Sequence, residues 1–146
     1  MRKITIIASL LLLVFSSCKK EDKSSPVKEP DTTFTGLWHV NSLRSITTNE
    51  GEVQEDSTEM LNKGELDINF LEDKTYMMIS TLNPDINDTG TYQMEADKVI
   101  LTTVNDGITY VNSATYAISG KKMKLHFVHM GGTSYKFEDI MSLSKD

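Results

Sequence analysis

Three observations in the sequence predict an all-β fold, an antiparallel up-and-down β-barrel of about eight strands. Leu66, Ile68 and Phe70 alternate with Glu65, Asp67 and Asn69, and Met123, Leu125 and Phe127 alternate with Lys122, Lys124 and His126. That two-residue period belongs to a strand with one wet and one dry face. Turn-forming clusters recur at short intervals, among them Asn83-Pro84-Asp85, Asn105-Asp106-Gly107, Ser119-Gly120-Lys121 and Met130-Gly131-Gly132. Connections this short favour sequential hairpins. Helical spacing is not sustained anywhere after residue 61. Closing the sheet removes its edges, which otherwise invite pairing with other chains.

The chain starts with a different kind of segment. Met1-Arg2-Lys3 is basic, and residues 4–15 form an almost unbroken apolar run. At about a dozen residues the run has the length of a secretory signal core and is short of the ~20 that span a bilayer as a helix. Residues 1–17 are therefore expected to be a signal peptide. Ser16 and Ser17 are small enough for a signal peptidase, and Cys18, the single cysteine, follows them. With no second thiol, an intramolecular disulfide is excluded, and a core thiol does not fit between a signal run and Lys19-Lys20-Glu21-Asp22. The stretch Val14 to Cys18 resembles the lipobox of bacterial lipoproteins, with Phe15 where Leu is commonest. That resemblance implies lipidation of Cys18 and cleavage just before it. Two or three acyl chains would hold the protein on a membrane, each buried methylene contributing ~0.8 kcal/mol.

Residues 18–33 comprise Cys18 and a tether. Residues 19–33 contain Pro26, Pro30, many charges and a single aliphatic residue, Val27, too little apolar surface to fold. Lys19 is not Asp, so the inner-membrane retention signal of some lipoproteins is absent and the outer membrane is the expected location. Lys20-Glu21-Asp22 resembles a short surface-export signal, which leaves both the periplasmic face and the cell surface open.

Residues 34–146 form the one folded domain, large enough for a core without disulfides or metal. Its expected strands are 36–47, 64–71, 74–82, 89–95, 98–104, 108–118, 121–129 and 134–143, the sixth interrupted near Asn112-Ser113. Residues 47–63, acidic and Gly-containing, read as a long loop or lid over one barrel end, with one helical turn near Ser57, Met60 and Leu61. The domain carries 9 Lys/Arg against 17 Asp/Glu, a net charge of −8. Such a surface repels phosphate backbones, so no nucleic-acid partner is expected.

Gly36-Leu37-Trp38 resembles the Gly-x-Trp opening of lipocalins. Phe70-Leu71-Glu72-Asp73-Lys74-Thr75-Tyr76 is similar to the Phe-x-x-Asp-Gly-Thr-Tyr hairpin, and Thr89-Gly90-Thr91-Tyr92 to a following Gly-Thr-Tyr strand. The order of these motifs resembles the lipocalin-like domain of small bacterial lipoproteins. The resemblance implies that Trp38 closes one barrel end and that a small hydrophobic ligand binds inside. Lys74 replaces the turn glycine. Arg44, on the first strand, does not take the place of the arginine that lipocalins stack on the Trp, a role open to Lys136 or Lys145.

No nucleophile elbow, phosphate-binding Gly loop, zinc helix motif or dinucleotide fingerprint is present, so no enzyme activity and no cofactor are expected. Asp85-Ile86-Asn87-Asp88-Thr89-Gly90 begins like a calcium loop, but Ala96 stands where the bidentate Glu belongs, and no metal site is expected. His126 and His129 fall on opposite strand faces and make no cluster with His39. Met77, Met78, Met94, Met123, Met130 and Met141 lie on or beside strands, where methionine fills a core or lines an irregular cavity. The candidate pocket residues are Tyr76, Met77, Tyr92, Met94, Leu101, Phe127 and Phe137. Two functions fit: a membrane-anchored module binding a small hydrophobic ligand in the cell envelope, or an envelope interaction or inhibitor module with a filled barrel that docks a protein partner through its loops.

Overall fold

The computed structural model describes residues 34–146. Cys18, the expected signal peptide and the tether lie outside the described residues. The strands are β1 (Gly36–Asn49), β2 (Glu52–Met60), β3 (Leu66–Phe70), β4 (Thr75–Ser80), β5 (Asp88–Glu95), β6 (Lys98–Asn105), β7 (Ile108–Ser119), β8 (Lys122–Gly131) and β9 (Tyr135–Ser144), with a single 3-10 turn at Pro84–Ile86. Their order in the sheet is β2-β1-β3-β4-β5-β6-β7-β8-β9, and β1 also pairs with β9. That pairing closes β1 and β3 to β9 into the expected antiparallel, eight-stranded, up-and-down barrel.

The segment 47–63 is the departure from the sequence reading. It is neither a lid nor a helical turn. β1 runs on to Asn49, and Glu52–Met60 returns beside it as a ninth strand. Along one edge β1 therefore serves two neighbours, β3 from Gly36 to His39 and β2 from Ser42 to Asn49. Glu50 and Gly51, with φ of 51° and 86°, make the two-residue turn whose twist suits a hairpin. All nine β2 residues are exposed, so the segment lacks the alternation by which strands are recognised. Ladder hydrogen bonds hold it instead, together with Arg44, whose Nε and Nη2 donate to Asp56 Oδ1 and Oδ2 at 2.7 and 2.6 Å. A smaller difference concerns β7, which is unbroken at Asn112-Ser113. Only from Ala114 onward does it pair with β8.

One end of the barrel is packed shut. Phe34, immediately before β1, and Trp38 and Phe70 have no exposed surface. The Phe34 ring lies 4.5 Å from Phe70, 5.6 Å from Tyr92 and 5.4 Å from Tyr116, within the range of favourable aromatic pairs. Trp38 Nε1 donates to the Phe34 carbonyl at 2.8 Å, and Lys145 Nζ stands 4.4 Å from the centre of the indole. Lys145 thus takes the position over the Trp that the sequence left to Lys136 or Lys145. Gly36 has φ of 113°, a conformation that L side chains rarely adopt, which accounts for the glycine two residues before the Trp. Lys74, at φ 70°, occupies the turn position where the resembling motif has glycine.

Candidate cavity at the open end of the barrel

Going up the barrel from this plug, the inward positions change in character. On β9 the inward series is Leu143, Met141, Asp139, Phe137 and Tyr135. Opposite it on β8 lie Met123, Leu125, Phe127, His129 and Gly131. The sheet's two-residue period carries both series past the apolar core and into a polar layer. β7 joins β8 only below Ala114, and β4 joins β5 only from Thr75 to Met78, so the upper barrel is splayed.

A cavity of about 280 Å³ occupies this splayed region, with Leu43, Ile68, Met78, Leu101, Phe127 and Met141 among its apolar walls. Tyr76, Asp88, Asn112, His129 and Asp139 are the polar residues in its lining. A polar recess of about 200 Å³ shares Asp88 and Asn112 with it and adds Thr103, Asn105 and Tyr110. Binding pockets of mixed character, mostly apolar with a few placed polar groups, are the usual form of a small-molecule site.

Three hydroxyl and carboxylate oxygens organise one wall. Tyr76 Oη donates to Asp88 Oδ2 at 2.5 Å, Thr103 Oγ1 donates to the same oxygen at 2.8 Å, and the two hydroxyls are 2.6 Å apart. Burial, and then the neighbouring Asp88 carboxylate, push the Tyr76 phenol up to about 12, so it remains a donor. Gly90 lies directly beneath the Tyr76 ring. A Cβ there would be 2.9 Å from Tyr76 Cε1 and would also collide with the Thr102 carbonyl, so only glycine lets the ring lie flat. On the opposite wall Asp139 Oδ1 accepts from Ser45 Oγ at 2.6 Å. His129 stacks on Phe127 with ring centres 6.5 Å apart and planes 5° from parallel.

Of the residues expected in a pocket, Tyr76, Leu101 and Phe127 line this cavity. Tyr92 and Met94 are buried in the core below it. Met77 does not reach the cavity. It pairs across with Asn69 and Thr89 on the outer face and is 39% exposed. Phe137 has inward parity but stands above the cavity at the mouth, half-exposed and stacked on Tyr135 with ring centres 6.3 Å apart. Sequence reasoning missed Asp88, Asn112, His129 and Asp139. Their signal was strand parity: Asp139 is two residues from Met141 and four from Leu143, and Asp88 is two from Gly90. A search for apolar residues passes over them.

His126 Nε2, on the outer face of β8, lies 2.8 Å from Glu138 Oε2, and Lys136 Nζ lies 2.7 Å from Glu138 Oε1. A second depression, about 470 Å³, lies on the outer face of β7 to β9 beside Lys122 and Lys124. Among the described residues no group of three His, Cys, Asp or Glu side chains is placed to hold a metal ion. No protein-family model, no curated protein and no solved structure matches this chain.

Proposed function

We propose that this protein is a lipid-anchored binding module of the outer membrane, tethered through Cys18, whose lipocalin-like barrel takes a small, largely apolar ligand and performs no catalysis. The observation that carries the reading is the cavity at the splayed end, apolar on most of its wall and furnished with a few positioned polar groups. The direction of the chain adds support. Phe34 enters at the plugged end, so residue 33 joins the barrel at the end opposite the mouth and a tether leading to Cys18 need not cross the cavity entrance.

Native mass spectrometry of the full-length protein, extracted from its own envelope, tests the ligand. A co-purifying small molecule that is lost on replacing Leu101 by a bulkier Trp supports the proposal, and a barrel empty in every preparation counts against it. Cys18→Ala tests the anchor. An unacylated precursor that no longer fractionates with membranes is expected, and normal labelled-palmitate incorporation by that variant overturns the assignment.

A second reading rests on β2. Every residue of this strand is exposed, and it ends the sheet order with one side unpaired. An extended segment of a partner protein can add to such an edge. A protein rather than a small molecule retained in the same spectra, and released when β2 is deleted, favours this reading.

A further inference from the structure

Resting on the ligand-binding reading above, we infer that the cavity selects cationic amphiphiles, small alkyl- or arylalkyl-ammonium ions, and rejects fatty acids and other anionic amphiphiles of the same size.

The apolar wall alone would suit any short hydrocarbon chain. Its polar groups are what discriminate. Among the described residues two carboxylates, Asp88 and Asp139, line the cavity and no Lys or Arg does; His129 is the one described lining side chain able to gain positive charge. Each carboxylate is anchored through one oxygen only, Asp88 through Oδ2 and Asp139 through Oδ1. Among the described residues no donor reaches Asp88 Oδ1 or Asp139 Oδ2, nor is either oxygen sealed from solvent, because those residues contain no buried polar side-chain atom without a partner. Hydroxyl donors therefore fix the orientation of both groups while leaving one oxygen of each for a ligand.

Two cations close in sequence to lining residues are committed elsewhere. Arg44 is paired with Asp56 and Lys136 with Glu138, both through residues of outward parity. The rim extends the same sign. Glu59 pairs across from Leu43, and Glu55 from Thr47, on the inward side of the β1–β2 hairpin. A ligand carboxylate entering here meets like charge from Asp88 and Asp139, offset only by the Asn112 amide and the His129 ring. An ammonium group instead meets two half-satisfied carboxylates in a wall that also contains the Tyr76 and Phe127 rings. The volume sets the size. At ~30 Å³ for each loosely packed heavy atom, the cavity admits on the order of ten non-hydrogen atoms.

The test is a titration of the full chain with three probes of one length, hexylammonium, hexanol and hexanoate, followed by calorimetry and by amide chemical shifts. Hexylammonium is expected to bind at least about tenfold more tightly than hexanoate, with hexanol between them. Asp139→Asn keeps the Ser45 hydrogen bond and should weaken hexylammonium about fivefold or more without changing hexanol. Asp88→Asn with Asp139→Asn should abolish the preference. If the double variant fails to melt cooperatively, Asp139→Asn alone decides. Hexanol binding with no preference for the ammonium overturns the cation inference and leaves the cavity reading intact. If none of the three probes binds, both fail. Equal or tighter hexanoate binding, or hexylammonium binding left unchanged by Asp139→Asn, also overturns the inference.

Discussion

The two ends of the barrel treat polar atoms in opposite ways. At the plugged end each aromatic with a polar handle ends on a backbone carbonyl. Trp38 Nε1 donates to Phe34, Tyr92 Oη to Leu71 at 2.7 Å and Tyr116 Oη to Ala96 at 3.1 Å. Those carbonyls belong to the turns and the entering chain, so the bonds lock the loops onto the core and leave nothing over. At the mouth the polar groups end on side chains, Tyr76 on Asp88 and Ser45 on Asp139, and oxygens are left over. Large apolar residues near the mouth, such as Ile108, Tyr110 and Phe137, are at least 40% exposed, whereas Phe34, Trp38 and Phe70 are fully covered. One end is built for stability. The other spends contacts on groups that face a cavity, and side chains that bind others have to remain incompletely satisfied.

The largest effect should come from the plug. Trp38→Ala removes a fully buried ring and its hydrogen bond and should destabilise by about 3–5 kcal/mol in chemical denaturation. Phe137→Ala, which removes a half-exposed ring at the mouth, should cost about 1 kcal/mol or less. Equal losses for the two variants would break the comparison.

How much of this could be read in advance follows the same division. The plug was visible in the sequence because its residues are apolar, aromatic and regularly spaced; Gly36, Trp38, Phe70 and Tyr92, four of the residues in the motif resemblance, lie at that end. Phe34 escaped notice because it precedes the first alternating run. The mouth was harder. Asp88 and Asp139 look like surface residues in any hydropathy pattern, and only their register with Gly90 and Met141 shows that they face inward. β2 was invisible for a different reason. With both faces wet, its identity as a strand comes from its hairpin partner and the Glu50-Gly51 turn rather than from its own side chains. The fully exposed strand is thus a tertiary fact.

Next in size is Tyr76→Phe, which removes a hydrogen bond to a carboxylate and should cost about 1–3 kcal/mol while leaving the plugged end unchanged. Its companion is a pH effect. Burial pushes the Tyr76 phenol from its ordinary 10.0 up to about 12 in the fold, so the folded state holds this proton more tightly. The associated stability is complete below 10.0 and is lost as pH rises toward about 12. Alkaline denaturation of the parent and of Tyr76→Phe measures it, and a variant with the parent's alkaline dependence would show that Tyr76 is not the group responsible.

The smallest expected change is a gain. Ala96 occupies φ of 43° in the β5–β6 turn, and Tyr116 bonds only to its carbonyl. Ala96→Gly relieves the left-handed strain and keeps that bond, so a rise of about 0.5–1 kcal/mol is expected. A loss would mean that the turn tolerates alanine without strain.

The seam between β1 and β9 has a consequence in time. Asn41 and Ser144, whose side chains hydrogen-bond across it, are 103 residues apart, and Ser45 and Asp139 are 94 apart. Every other neighbouring pair in the barrel wall except β1 with β3 is a local hairpin. Hairpins close in about 1–10 μs, whereas distant pairings must wait for the chain between them to be ordered. During synthesis, the growing sheet therefore keeps an open edge on β1 until β9 arrives. That final stretch, 135–144, decides when the barrel wall closes and the unpaired edge of the molecule shrinks to β2 alone.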